Sequence, residues 1–83
     1  MPTEYITFGK AIKEAQNGAK IARIGWNGKG MWLEYIPAGI MCTPLGTELP
    51  SYPYLVMKTA DNKLVPWLAS QTDVLAMDWT IVD

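Results

Sequence analysis

A chain of 83 residues is long enough for one domain and too short for a large enclosed core. Seven basic residues against eight acidic ones, a net charge of -1 and no run of like charges exclude the basic groove that long nucleic acids require. One cysteine and no histidine leave no internal disulfide, no thiolate metal cluster and none of the commonest general base.

Residues 1–6 form a short lead. Thr7 is a suitable N-cap, and Phe8, Ala11, Ile12 and Ala15 recur at helical spacing. The spacing predicts a helix over Phe8–Asn17, stopped by Asn17-Gly18. Lys20–Ile24 reads as a strand, three glycines around Trp26 interrupt it, and Met31–Ile36 reads as a second strand. Asn27-Gly28 suits a hairpin turn between the two. Residues 37–53 hold four prolines and two glycines and read as a long loop, functional or merely connecting. Tyr54–Thr59 and Lys63–Trp67 read as two strands around a turn at Ala60-Asp61-Asn62, with Pro66 pushing the second to a sheet edge. Ser70-Gln71-Thr72-Asp73 has capping-box spacing and opens a short helix through Ala76. Asp78–Val82 closes the pattern as a strand. The predicted fold is α+β: a small antiparallel sheet with one main N-terminal helix and a short second helix, in a single domain. With 49% hydrophobic residues the chain has more apolar material than so small a core hides, which points to an oligomer.

No apolar stretch reaches the roughly 18 residues of a membrane span, and no signal-peptide pattern opens the sequence, so a cytosolic setting is expected. Catalytic groupings are weak. Ser70 and Thr72 have no histidine to activate them, and Cys42 reads as an inert thiol. No cofactor and no metal ligand set is expected, and the glycines around Trp26 do not have phosphate-loop spacing. Binding is better supported. Trp26 in a glycine-rich turn and Trp67 beside Pro66 can each stack on a base or simply cap the sheet. Trp32 and Trp79 lie inside strand patterns and read as core or subunit interface. Arg23 can fork onto a phosphate or form a surface ion pair. Ser70 to Asp73 can cap a helix, offer its N-terminus to an anion, or both.

The strings Gly25-Trp26-Asn27-Gly28-Lys29-Gly30 and Val65-Pro66-Trp67-Leu68-Ala69-Ser70-Gln71-Thr72-Asp73, with Phe8-Gly9-Lys10-Ala11 before them and Asp78-Trp79 after, resemble the second-type Thoeris anti-defence family of phage sponge proteins. The resemblance runs over about residues 8 to 82. It implies a homotetramer that binds glycocyclic ADP-ribose, an immune signal, and withholds it without degrading it inside the infected bacterial host. It also implies cyclic oligonucleotides as ligands of some relatives. On this reading Trp26 and Trp67 are stacking surfaces, Arg23 contacts phosphate, and Asn27, Ser70, Thr72 and Asp73 read polar groups. Two features depart from the family: Asn62 stands where glycine is expected in a turn, and residues 38–53 match least. An inhibitor of a host or immune enzyme, acting through protein contact, and a weak signal-degrading enzyme are the alternatives.

Overall fold

The computed structural model describes residues 5–26 and 29–82. Helix α1 spans Phe8–Gln16. The Thr7 hydroxyl accepts the Lys10 N–H at 3.2 Å and so satisfies one of the free donors of the first turn. At the other end Gly18 adopts φ +100°. Its N–H donates to the Ala15 carbonyl, while the Ala19 N–H donates to Glu14, the paired bonds of a left-handed glycine cap. The helix contributes Ala11 and Ala15 to the core, both buried. Two small side chains let its backbone approach the sheet closely, and larger groups from the sheet fill the space between.

Strands β1 (Lys20–Arg23), β2 (Trp32–Ile36), β5 (Tyr54–Lys58), β6 (Leu64–Pro66) and β7 (Trp79–Val82) form one antiparallel sheet in the order β6-β5-β2-β1-β7. The register places Ile21 opposite Leu33 and Leu33 opposite Met57. These side chains share one face because strand residues alternate sides. That face meets α1, and Ala11, Ala15, Ile21, Leu33 and Trp79 make the buried cluster. Pro66 lies on the edge strand β6, as its missing N–H requires. The other edge, β7, is extended by Ile6, whose backbone exchanges two hydrogen bonds with Trp79. The short helix α2 (Gln71–Leu75) lies between β6 and β7 in the chain. The predicted hairpin turn at Asn27-Gly28 falls outside the described residues.

The α+β reading and its helices hold, with strand ends shorter by one or two residues. The exception is the stretch read as a loop. It contains a second sheet, the hairpin of β3 (Gly39–Cys42) and β4 (Glu48–Ser51). Its turn runs Thr43-Pro44-Leu45-Gly46-Thr47. The Gly46 N–H closes on the Thr43 carbonyl, Gly46 takes φ +87°, and the Thr43 hydroxyl accepts the Thr47 N–H at 3.2 Å. The β5–β6 turn repeats this design: the Asn62 N–H closes on Thr59, Asn62 takes φ +65°, and the Thr59 hydroxyl accepts the Lys63 N–H. Asn tolerates the left-handed region better than other non-glycine residues, which explains why it can stand there. The β3–β4 hairpin projects from the body. The chain measures 46 × 26 × 25 Å with a radius of gyration of 13.9 Å, against about 12 Å for a compact chain of this length.

Because Ala11 is fully buried in the core cluster, Ala11→Leu is expected to overpack it and cost about 1–3 kcal/mol. The measurement is a lower urea midpoint at unchanged slope.

Candidate functional site

Among the described residues Trp79 is the largest fully buried side chain, although it starts an edge strand. Phe8, Trp26 and Trp67 cover it, with ring centroids 5.1, 5.4 and 6.1 Å away. A fully buried indole N–H needs an acceptor. It donates to the Asp73 main-chain carbonyl in α2 at 2.9 Å. That bond brings α2 onto the aromatic cluster and turns the Asp73 carboxylate toward β1.

The α2 terminus is a complete capping box. The Ser70 hydroxyl accepts the Asp73 N–H at 3.1 Å, and the Asp73 Oδ2 accepts the Ser70 N–H at 3.4 Å. Asp73 thus serves in place of the usual Glu or Gln. Oδ2 also accepts the Ser70 hydroxyl. The other oxygen, Oδ1, accepts Arg23 Nη1 at 2.9 Å and the Trp26 indole N–H at 3.3 Å. Both carboxylate oxygens are therefore engaged by the protein itself.

Arg23 ends β1 and is gripped from two sides. Nη1 meets Asp73, and Nε donates to Asp78 Oδ1 at 2.9 Å. The side chains of Arg23, Asp73 and Asp78 are 17%, 15% and 30% exposed, so these are partly desolvated ion pairs. One cation faces two anions. Hydrogen bonds to Asp78 and then Asp73 raise the Arg23 pKa further above its already high value. The Asp78 carboxyl lies below its ordinary value chiefly because of the Arg23 hydrogen bond, with the Gly25 N–H adding to it against burial. For Asp73, burial pushes the carboxyl up, but the hydrogen bonds from Arg23, Ser70 and Trp26 together outweigh it and leave it low.

Trp26 and Trp67 are half-buried at the rim of this cluster. Their centroids lie 6.4 Å apart with planes inclined by 61°. The two indoles form a corner, so a single flat base cannot lie parallel to both. Thr72 is exposed on α2, and Asn27 lies outside the described residues. The candidate residues Arg23, Trp26, Trp67, Ser70 and Asp73 thus lie in one region, joined through Asp73 and the indoles, with Thr72 next to Asp73 in the chain. Asp78 and Gly25 belong to it as well; the sequence reading placed both in motifs but gave neither a role. The one available signal was a carboxylate next to a strand-starting tryptophan. Trp32 lies on the opposite sheet face. It donates to Glu34 at 2.8 Å, with the Lys20 and Lys58 ammonium groups 4.4 and 4.7 Å from its ring centroid.

Fold and site together define a small α+β domain in which an arginine between two aspartates braces a tryptophan corner against the sheet. The sequence pattern of the Thoeris anti-defense 2-like domain matches residues 6–82. The chain is also 38% identical over 84 residues to the Thoeris anti-defense 2 protein of Bacillus phage SP01, covering 93% of this chain and 94% of that one. The chain belongs to the Thoeris anti-defense 2-like family, which places it among anti-defence proteins.

Both carboxylates titrate below their ordinary value of 3.8 in the folded state. Their stabilisation is therefore present above that value and is lost as pH falls through the lower folded values. Arg23→Met leaves two facing carboxylates without their cation. Its melting temperature at pH 7 is expected to fall by the equivalent of about 1–3 kcal/mol, and the gap to wild type to narrow below about pH 4 as the carboxylates protonate. Calorimetric melts across that range measure both effects.

Proposed function

We propose that the protein is a sponge that binds glycocyclic ADP-ribose in the cytoplasm of the infected bacterial host and withholds it without degrading it. The observation that carries this reading is family membership over residues 6–82 together with a braced corner of two half-buried indoles. Cyclic oligonucleotides are a second ligand class to which the same reading extends.

Sequestration works by mass action, so the sponge must outcompete the signal's effector. Nanomolar affinity corresponds to about -12 kcal/mol. The inclined planes allow a base to stack on one indole and meet the edge of the other, and one stacked face contributes about 1–3 kcal/mol. Charge-assisted hydrogen bonds, at about 1.5–3 kcal/mol each, supply much of the remainder. Arg23 keeps Nη2 for a phosphate oxygen while its other nitrogens hold Asp73 and Asp78. Thr72 and Asn27 read hydroxyls or base edges. Asp73 acts through the Trp26 indole it holds, and Ser70 acts through Asp73.

The protein acts as a homotetramer in this proposal. Its surface supports self-association: Leu45, Tyr52 and Leu68 are 91–95% exposed, and Ile40, Leu49 and Leu64 are exposed as well. Three of them, Ile40, Leu45 and Leu49, lie on the β3–β4 hairpin, where exposed apolar side chains suit a contact surface. The same exposed residues favour one rival, an inhibitor that works by protein contact.

Filtration separates the readings. Protein incubated with glycocyclic ADP-ribose is expected to retain it and to release it intact on heating. Altered nucleotide would mean an enzyme, and nucleotide in the filtrate would favour the contact inhibitor. Trp26→Ala is expected to weaken capture by about 1–3 kcal/mol, or roughly ten- to a hundred-fold, with Trp26→Phe losing less. A Trp26→Ala protein of wild-type affinity removes Trp26 from the site. Light scattering is expected to give four times the 9.2 kDa chain mass, and a single-chain mass defeats the assembly.

A further inference from the structure

We propose that Asp78 is a positioning residue of the nucleotide site: it fixes the Arg23–Trp26 turn and so sets where Trp26 is presented. The proposal rests on the sponge reading only for its consequence in binding. Its geometric basis is independent.

Asp78 holds three successive residues of that turn. Its Oδ1 accepts Arg23 Nε at 2.9 Å, its main-chain carbonyl accepts the Ile24 N–H at 3.0 Å, and its Oδ2 accepts the Gly25 N–H at 2.8 Å. The next residue is Trp26, whose N–H closes the turn on the Arg23 carbonyl at 3.4 Å. After Arg23 the chain leaves strand β1, so the β1–β7 ladder pairs none of Ile24, Gly25 and Trp26. The Asp78 carboxylate continues the connection between the two elements beyond the end of that ladder. Trp26 is then held at two points, its backbone by the turn and its indole N–H by Asp73.

The identity of residue 25 follows from this contact. A Cβ on Gly25 would stand 2.8 Å from Asp78 Oδ2, inside van der Waals contact, and its next neighbour, Arg23 Nη2, would be 3.5 Å away. Among the described residues the Asp78 carboxylate is the neighbour that comes too close for a Cβ there. Asp78 itself needs no contact with ligand: Oδ1 and Oδ2 are each engaged by a donor of the turn. An isosteric amide cannot replace it. One amide oxygen can accept from Arg23 or from Gly25, and the NH2 group then faces the other donor.

The test is amide hydrogen exchange and indole N–H resonances of the full chain, with glycocyclic ADP-ribose capture measured on the same samples. In Asp78→Asn the Gly25 amide is expected to exchange at least about tenfold faster. The Trp26 indole signal, assigned by its loss in Trp26→Phe, is expected to shift. The Ile21 and Leu33 amides stay protected, which shows the sheet intact. Nucleotide capture weakens about tenfold, the loss of one such hydrogen bond. Gly25→Ala is expected to have the same effects in wild type and little further effect on Asp78→Ala, where the clashing oxygen is gone. Unchanged Gly25 exchange and Trp26 signal in Asp78→Asn overturn the proposal. So does a loosened turn with undiminished capture, or a Gly25→Ala effect that persists in full on Asp78→Ala. If wild-type protein itself captures no nucleotide, the sponge reading fails, and the exchange and indole signals alone decide whether Asp78 fixes the turn.

Discussion

The indole nitrogen of Trp79 has to find an acceptor inside the protein, and much of the site follows from where it finds one. The ring is fully buried under α1 and two further tryptophans, so an unpaired N–H there would carry its full desolvation cost. The Asp73 carbonyl meets that need and thereby places α2. Once α2 is placed, the Asp73 side chain faces Arg23 and Trp26, and β1 is joined to a helix about 50 residues later in the chain. A packing requirement in the core thus becomes an electrostatic arrangement at the surface. The capping box uses the same residue a third time.

Much of this was legible in the sequence, and the parts that were not have identifiable causes. Thr7, Gly18 and the 8-11-12-15 spacing specify α1 by local chemistry alone, and Ser70 with Asp73 does so for α2. The five main strands show as apolar runs between turn residues. The β3–β4 hairpin was hidden by its prolines, which read as breakers. Pro50 in fact sits on β4 of a two-stranded sheet, where an outward-facing position needs no N–H. The pattern Thr-x-x-Gly-Thr at 43–47 was a usable signal, since Thr59 to Lys63 folds the same way.

The site was legible by residue type and not by role. Arg23, Trp26, Trp67, Ser70 and Asp73 do converge. Yet sequence spacing cannot show that Arg23 spends two of its nitrogens on carboxylates 50 and 55 residues away. Nor can it show the 61° inclination that makes a corner of two indoles. Those depend on β1 and β7 being neighbours, a long-range fact that no local pattern carries. The role of Asp78 stayed hidden for the same reason.

The projecting hairpin gives the molecule two parts that can change independently over evolutionary time. Among the described residues the β3 and β4 strands pair with each other alone, and their side chains lie outside the buried cluster. Residues there can be lengthened, shortened or exchanged without disturbing the packing around Trp79. The Trp26 corner allows far less variation, because Arg23, Gly25, Asp73 and Asp78 constrain one another through shared atoms. A lineage can therefore alter the arm, within whatever limits self-association sets on it, while the braced corner stays nearly fixed. Divergence between relatives should accumulate at residues 39–51 first.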